Sequence, residues 1–113
     1  MQRDKRQRPK VVSFQPDARN LESRIRDLAK DSKNILWAYH ARERMEERGF
    51  VVDDVLRVLR SGLARGAPEM TDQGEWKVKM TYQIKGAREA GVVTIILHSA
   101  RLFIKTVEWE DSR

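Results

Sequence analysis

The chain has no cysteine, two histidines and three prolines. Lack of cysteine removes disulfide frameworks, thiolate zinc sites and thiolate nucleophiles. The two histidines, His40 and His98, lie far apart and cannot supply the ligands of a metal site. Apolar runs such as Val92 to Leu97 fall well short of the ~20 residues that span a bilayer, and no apolar stretch of signal-peptide type follows the basic start. A cytoplasmic protein with no membrane partner is expected. Glycine-rich loops that cradle phosphates and Gly-x-Ser-x-Gly turns are also missing. Glu69, Asp72 and the triplet Glu75-Trp76-Lys77 offer a carboxylate nuclease pattern, but a chain this rich in acids and lysines yields about one such triplet by chance. Neither a metal nor another cofactor is therefore expected.

What the chain has is charge. Its 113 residues carry 23 Lys and Arg against 17 Asp and Glu, a formal net charge of +6. Residues 1–10 hold five cations, Arg3, Lys5, Arg6, Arg8 and Lys10, against Asp4 alone, so most of the net charge is concentrated there. Such a run is commonly just solvated. Its functional reading is an arm that lies on nucleic-acid phosphates, contributing affinity without sequence choice. The expected organisation is a basic, flexible tail over 1–10 and a single domain over 11–113. A chain of this length can bury about two thirds of its extended surface, enough for one core.

Lys10 to Gln15 reads as a short edge strand stopped by Pro16, after which Asp17 or Asn20 can cap a helix. From Asn20 to Ser32, Leu21, Ile25, Leu28 and Ala29 recur at helical spacing. A second helix is expected over about Ile35 to Arg48, with Trp37, Ala38, Ala41 and Met45 inward and Gly49 as its stop. Phe50 and Val51 lead into a third, opened by Asp53 and Asp54 and closed by Gly62. Beyond Gly62 the period changes to two. Trp76, Val78, Met80, Tyr82 and Ile84 alternate with Lys77, Lys79, Thr81, Gln83 and Lys85, one face packing and the other wet and cationic. Val92 to Leu97 reads as a central strand, His98 to Arg101 as a tight turn and Leu102 to Glu110 as its antiparallel partner, with a weaker strand near Arg65 to Met70. The expected fold is α+β, with N-terminal helices packed on a three- to four-stranded antiparallel meander.

The residues left for chemistry are cations and hydrogen-bonding groups. His40, Arg44 and Arg48 fall within about 80° of arc on the second helix, bordering its apolar stripe. Lys77 and Lys79 share a strand face, and His98, Lys105 and Thr106 come late in the sheet. Each also has a structural reading. His40 could be a half-buried helix histidine, Arg48 could bond main-chain carbonyls in the last turn, and the lysines could guard a wet sheet face.

The string from His40 to Gly62, HARERMEERGF followed by VDDVLRVLRSG with one valine between, resembles a family of small bacterial and phage domains marked by a His-Ala-x-x-Arg-Met-x-x-Arg-Gly helix and a following helix that ends in Gly. The matching residues are His40, Ala41, Arg44, Met45, Arg48, Gly49 and Gly62, and more loosely Ile104 to Val107, over about Tyr39 to Glu110. That family is similar in layout to RelE/ParE-type toxins, and the order of elements also looks like the MqsR interferases. The resemblance implies a RelE-like fold and a metal-independent endoribonuclease, the toxin of a toxin–antitoxin pair or a phage-borne relative. Its partners would be RNA, free or ribosome-bound, and an antitoxin protein. In that reading His40 transfers a proton, Arg44, Lys77 and Lys79 hold the phosphate, and Thr106 positions the substrate. Arg48 and Lys105 contact nucleic acid in the same reading, and the five tail cations, which lie outside the resemblance, are expected to do so by charge alone. The alternative is a non-catalytic module: a ParE-like inhibitor of a protein target, or a phage accessory protein that binds nucleic acid. The chain departs from the pattern in opening its third helix, Val52-Asp53-Asp54, without a Ser or Thr cap, and in lacking an obvious Arg or Tyr near the C-terminus to match a toxin's catalytic group.

Overall fold

A computed structural model of the chain describes residues 17–111. The tail cations and the strand expected over Lys10–Gln15 lie outside those residues. Asp17 caps the first helix, α1 (Ala18–Leu28), its carboxylate accepting the Asn20 N–H at 2.9 Å. Leu21 and Ile25 are buried beneath it, as their spacing predicts.

The next segment departs from expectation. Ile35, Leu36 and Trp37 do not open the second helix but form a short strand, β1 (Ile35–Trp37), entered through a single 3₁₀ turn at Ser32–Asn34. Trp37, Ala38, Ala41 and Met45 also fit a helical period, which is why the sequence pattern misleads here. The deciding contact is distant in sequence: β1 pairs in parallel with the last strand, Ile35 opposite Leu102 and Trp37 opposite Ile104. Helix α2 (Tyr39–Arg48) then begins four residues later than expected and ends at Gly49, whose left-handed φ of 74° lets the chain turn back with little strain. Helix α3 (Val52–Ser61) follows. The Asp54 side chain supplies the missing N-terminal partner, accepting the Val51 N–H at 2.9 Å.

Four strands complete the sheet: β2 (Leu63–Met70), β3 (Trp76–Gln83), β4 (Glu89–Ile96) and β5 (Leu102–Trp109). They run as an antiparallel meander, and with β1 beside β5 the order is β1-β5-β4-β3-β2. The α+β class therefore holds. The sheet itself is five-stranded and mixed rather than a three- to four-stranded antiparallel meander, because β1 adds a parallel edge.

Helix α1 packs on β2 and β3, α3 on β3 and β4, and α2 on β5. Ile25, Val55, Leu59, Met80, Val92, Leu102, Ile104 and Val107 form the centre of one core under these helices. Trp109 joins it, stacked on Phe50 at 4.3 Å, whereas Trp76 is only partly buried and Tyr82, expected inward, is 38% exposed. Strand alternation sends Lys77, Lys79, Val93, Ile95, Thr106 and Glu108 to the face the helices leave open. No helix among the described residues is long and apolar enough to cross a membrane.

Candidate functional site

Two groups of side chains emerge where the sequence placed one. The first lies on α2. Ala41 and Met45 bury its inner stripe, which leaves His40 and Arg44 one turn apart on its border. His40 is well exposed, with 60% of its side-chain surface free. Its Nε2 lies 3.0 Å from Arg44 Nη2, so the neutral ring accepts there and carries its proton on Nδ1, which faces Glu43 Oε1 at 3.5 Å. Arg44 is steadied from the other side by Glu47 at 2.9 Å. Arg48, the third member of the motif, leaves this edge: its Nη1 donates to the Val107 carbonyl of β5 at 2.7 Å. In return Trp109 Nε1 donates to the Arg48 carbonyl at 2.9 Å, fastening the end of α2 to the last strand. The same indole carries the Arg88 guanidinium over its ring, 4.1 Å from the centroid.

The second group lies on the open sheet face. Register aligns Arg65, Lys79, Val93 and Thr106 in one row across four strands, so the sheet brings Lys79 and Thr106 together as neighbours of Val93. Lys105 is the extra residue of a bulge in β5, since Thr106 pairs with Val93 and Ile104 with Thr94; it is exposed. A depression of about 370 Å³ opens here, lined by Arg65, Glu69, Lys77, Lys79, Val93 and Glu108 among others.

Its charge is not the cationic surface that the lysines alone imply. Lys77 is paired with Glu69 at 3.2 Å. Lys79 is held by Glu108 at 2.8 Å and Glu110 at 2.9 Å, and Arg65 reaches Glu89 at 3.3 Å and Glu110 at 3.7 Å. Burial draws the Lys79 pKa down, but hydrogen bonds and charge from the two glutamates outweigh it and hold the ammonium above its ordinary value. Glu108 is held below the usual carboxylate range, chiefly by its hydrogen bond from Lys79, against the opposing effect of burial; the Lys79 charge, Glu110 and Arg48 add to the lowering. Glu110 is nine-tenths buried and its Oε2 has no hydrogen-bond partner among the described residues. It fits because position 91 is glycine: a Cβ there would collide with that carboxylate and touch the Lys79 stem.

Glu108 and Glu110 escaped the sequence reading, although their signal was present. Thr106, Glu108 and Glu110 alternate with Val107 and Trp109, the mark of a polar strand face opposite a buried one. His98 serves the scaffold: its Nε2 lies 3.0 Å from the Gln73 carbonyl and its N–H donates to Glu75 at 3.0 Å, joining two turns. Among the described residues no three His, Cys, Asp or Glu side chains are grouped to hold a metal ion.

The fold is thus an α+β domain with an exposed histidine–arginine row on one helix edge and a charge-compensated sheet face. The chain belongs to the DUF4258 family, a domain of unknown function, whose model matches residues 37–109. The match runs from the end of β1 through β5 and leaves α1 outside. Comparison with curated proteins and with solved structures found no match.

Proposed function

We propose that this protein is a metal-independent endoribonuclease with His40 and Arg44 at its centre, a toxin-like module similar in layout to the RelE group. The observation that supports the reading is the exposed Glu43–His40–Arg44 row: an imidazole held between a carboxylate and a guanidinium, open to a ligand. A phosphate that draws Arg44 away frees Nε2 to accept a proton, while Glu43 stabilises the imidazolium that results. The 2′-hydroxyl then gives its proton to Nε2, and its oxygen bonds to phosphorus as the P–O5′ bond breaks. The departing oxygen takes a proton from water. The products are a 2′,3′-cyclic phosphate and a 5′-hydroxyl.

The sheet lysines take a lesser part than the sequence suggests, since a phosphate would have to compete with Glu69, Glu108 and Glu110 for them. That compensation favours a second reading, in which the sheet face meets a protein and the chain does not cleave. Incubating the full chain with single-stranded RNA in excess chelator decides between them. Cleavage with cyclic-phosphate ends, reduced 10²- to 10⁴-fold by His40→Ala at an unchanged melting temperature, supports the enzyme. Intact RNA, or a fully active His40→Ala protein, overturns it.

A further inference from the structure

We propose a second, separate RNA contact: the groove between α1 and α3, where the phosphate backbone of a single strand lies on Arg24, Lys30 and Arg60. The groove has a volume of about 550 Å³, and Arg24, Arg26, Lys30 and Arg60 line it with Asn20 and Ser23. Asp27 is the one acid among its lining residues, 3.4 Å from Lys30. Two of the arginines are anchored in a reciprocal way. Arg26 of α1 donates through Nε and Nη2 to the Gly62 carbonyl at 2.9 and 2.7 Å, at the end of α3. Arg60 of α3 donates through Nε to the Ala29 carbonyl at 2.7 Å, at the end of α1.

Each helix thus ends on the other's guanidinium. A helix C-terminus carries only about half a negative charge, so these contacts fix the guanidinium groups in place without neutralising them. Arg26 also faces Glu22, whose Oε2 lies 3.7 Å away while its Oε1 accepts the Ala64 N–H of β2 at 2.8 Å, so Arg26 is an anchor and not one of the three phosphate contacts. Among the described residues, neither Arg24 nor the two Nη groups of Arg60 have a hydrogen-bond or ion-pair partner. A guanidinium held by its Nε with both Nη groups unused matches the two-pronged geometry of a phosphate. Asn20 and Ser23 add neutral groups that can meet a 2′-hydroxyl, which DNA lacks. The basic residues 1–10 enter the chain just ahead of Asp17, the cap of the helix that forms one wall, so tail and groove are consecutive along the sequence.

The choice of RNA as occupant rests on the proposed cleavage, but the groove is read by binding alone. A chain that binds through it and does not cleave fails only the earlier reading. The test is fluorescence anisotropy of a labelled 20-nucleotide RNA and of DNA of the same sequence, across a salt series, with the full-length chain in a His40→Ala background. Arg24→Ala with Lys30→Ala spares both reciprocal arginines. It should weaken RNA binding about tenfold and lower the slope of log Kd against log salt by about 1.4, roughly 0.7 per lost single-strand phosphate contact, with the melting temperature unchanged. Arg101→Ala, at an exposed turn outside the groove, should change Kd less than about twofold. An unchanged Kd and slope in the double variant, an equal loss with Arg101→Ala, or DNA binding as tight as RNA overturns the proposal.

Discussion

The helical layer and the sheet face carry the same kinds of cation and answer them differently. On the sheet, Arg65, Lys77 and Lys79 meet whole carboxylates, and the charges cancel locally. On the helices, Arg48 and Arg60 meet main-chain carbonyls, which orient a guanidinium but leave most of its charge in force, while Arg26 adds Glu22 to its carbonyl contact and Arg44 is paired with Glu47. The positive potential of this molecule therefore depends less on where its cations lie than on what they are bonded to. The wet strand face, which carries the most regular lysine pattern in the sequence, is the poorer place for a phosphate.

The largest effect expected on stability lies where the two regions are joined. Trp109 is buried, stacks on Phe50 and bonds the end of α2, so Trp109→Ala should cost about 3–5 kcal/mol in urea denaturation. Trp76→Ala should cost clearly less, because Trp76 is only partly buried. Equal losses would mean that the helix-to-strand fastening adds nothing.

Lys79→Met comes next and tests the sheet directly. It strands Glu110, nine-tenths buried, without its ammonium, and should cost about 2 kcal/mol at neutral pH. The pH dependence follows from the two shifts. The lowered pKa of Glu108 contributes stability that is present above the ordinary carboxylate value of 4.5 and is lost as pH falls through the folded value. The raised pKa of Lys79 contributes stability that is present below 10.5 and is lost as pH rises through the folded value. Thermal melts of the wild type should therefore hold a plateau between those limits and fall on both sides, and Lys79→Met should flatten both edges. A variant with the wild-type profile would show that the pair is not coupled to folding.

Arg60→Ala removes one of the reciprocal anchors and should cost about 1 kcal/mol, the scale of a single charge-assisted cap. Smallest of all is Arg44→Ala, whose partners are the exposed His40 and Glu47. Its stability should change by less than about 0.5 kcal/mol, while the RNA cleavage proposed above should fall at least tenfold. Cleavage at the wild-type rate would mean that Arg44 takes no part in holding the phosphate.

Much of the fold was legible because local patterning and tertiary packing agree. Leu21 and Ile25 mark α1, Val55, Val58 and Leu59 mark α3, and the alternation from Trp76 marks β3. Ile35 to Trp37 was illegible for the opposite reason, since its helical phase is genuine and only pairing with Leu102 to Ile104 makes it a strand. At the candidate site, helical spacing brought His40 and Arg44 together, whereas Lys79 and Thr106 share a row of the sheet with Val93 between them. The neutralising glutamates and the reciprocal arginines depend on registers between elements, which no local window contains. The same dependence sent Arg48 away from its helix neighbours to Val107.

The parallel pairing of β1 with β5 also constrains how the molecule can be made. Ile35 finds its partner only when Leu102 exists, so a ribosome adding roughly 5–20 residues per second leaves β1 unpaired for on the order of 3 to 13 s. Over that interval neither β1 nor the β5 side of α2 has its final neighbour. A message truncated before β5 would yield a chain missing the strand that joins β1 and α2 to the rest of the sheet, and such a chain would present exposed strand edges to the cell's proteases and chaperones.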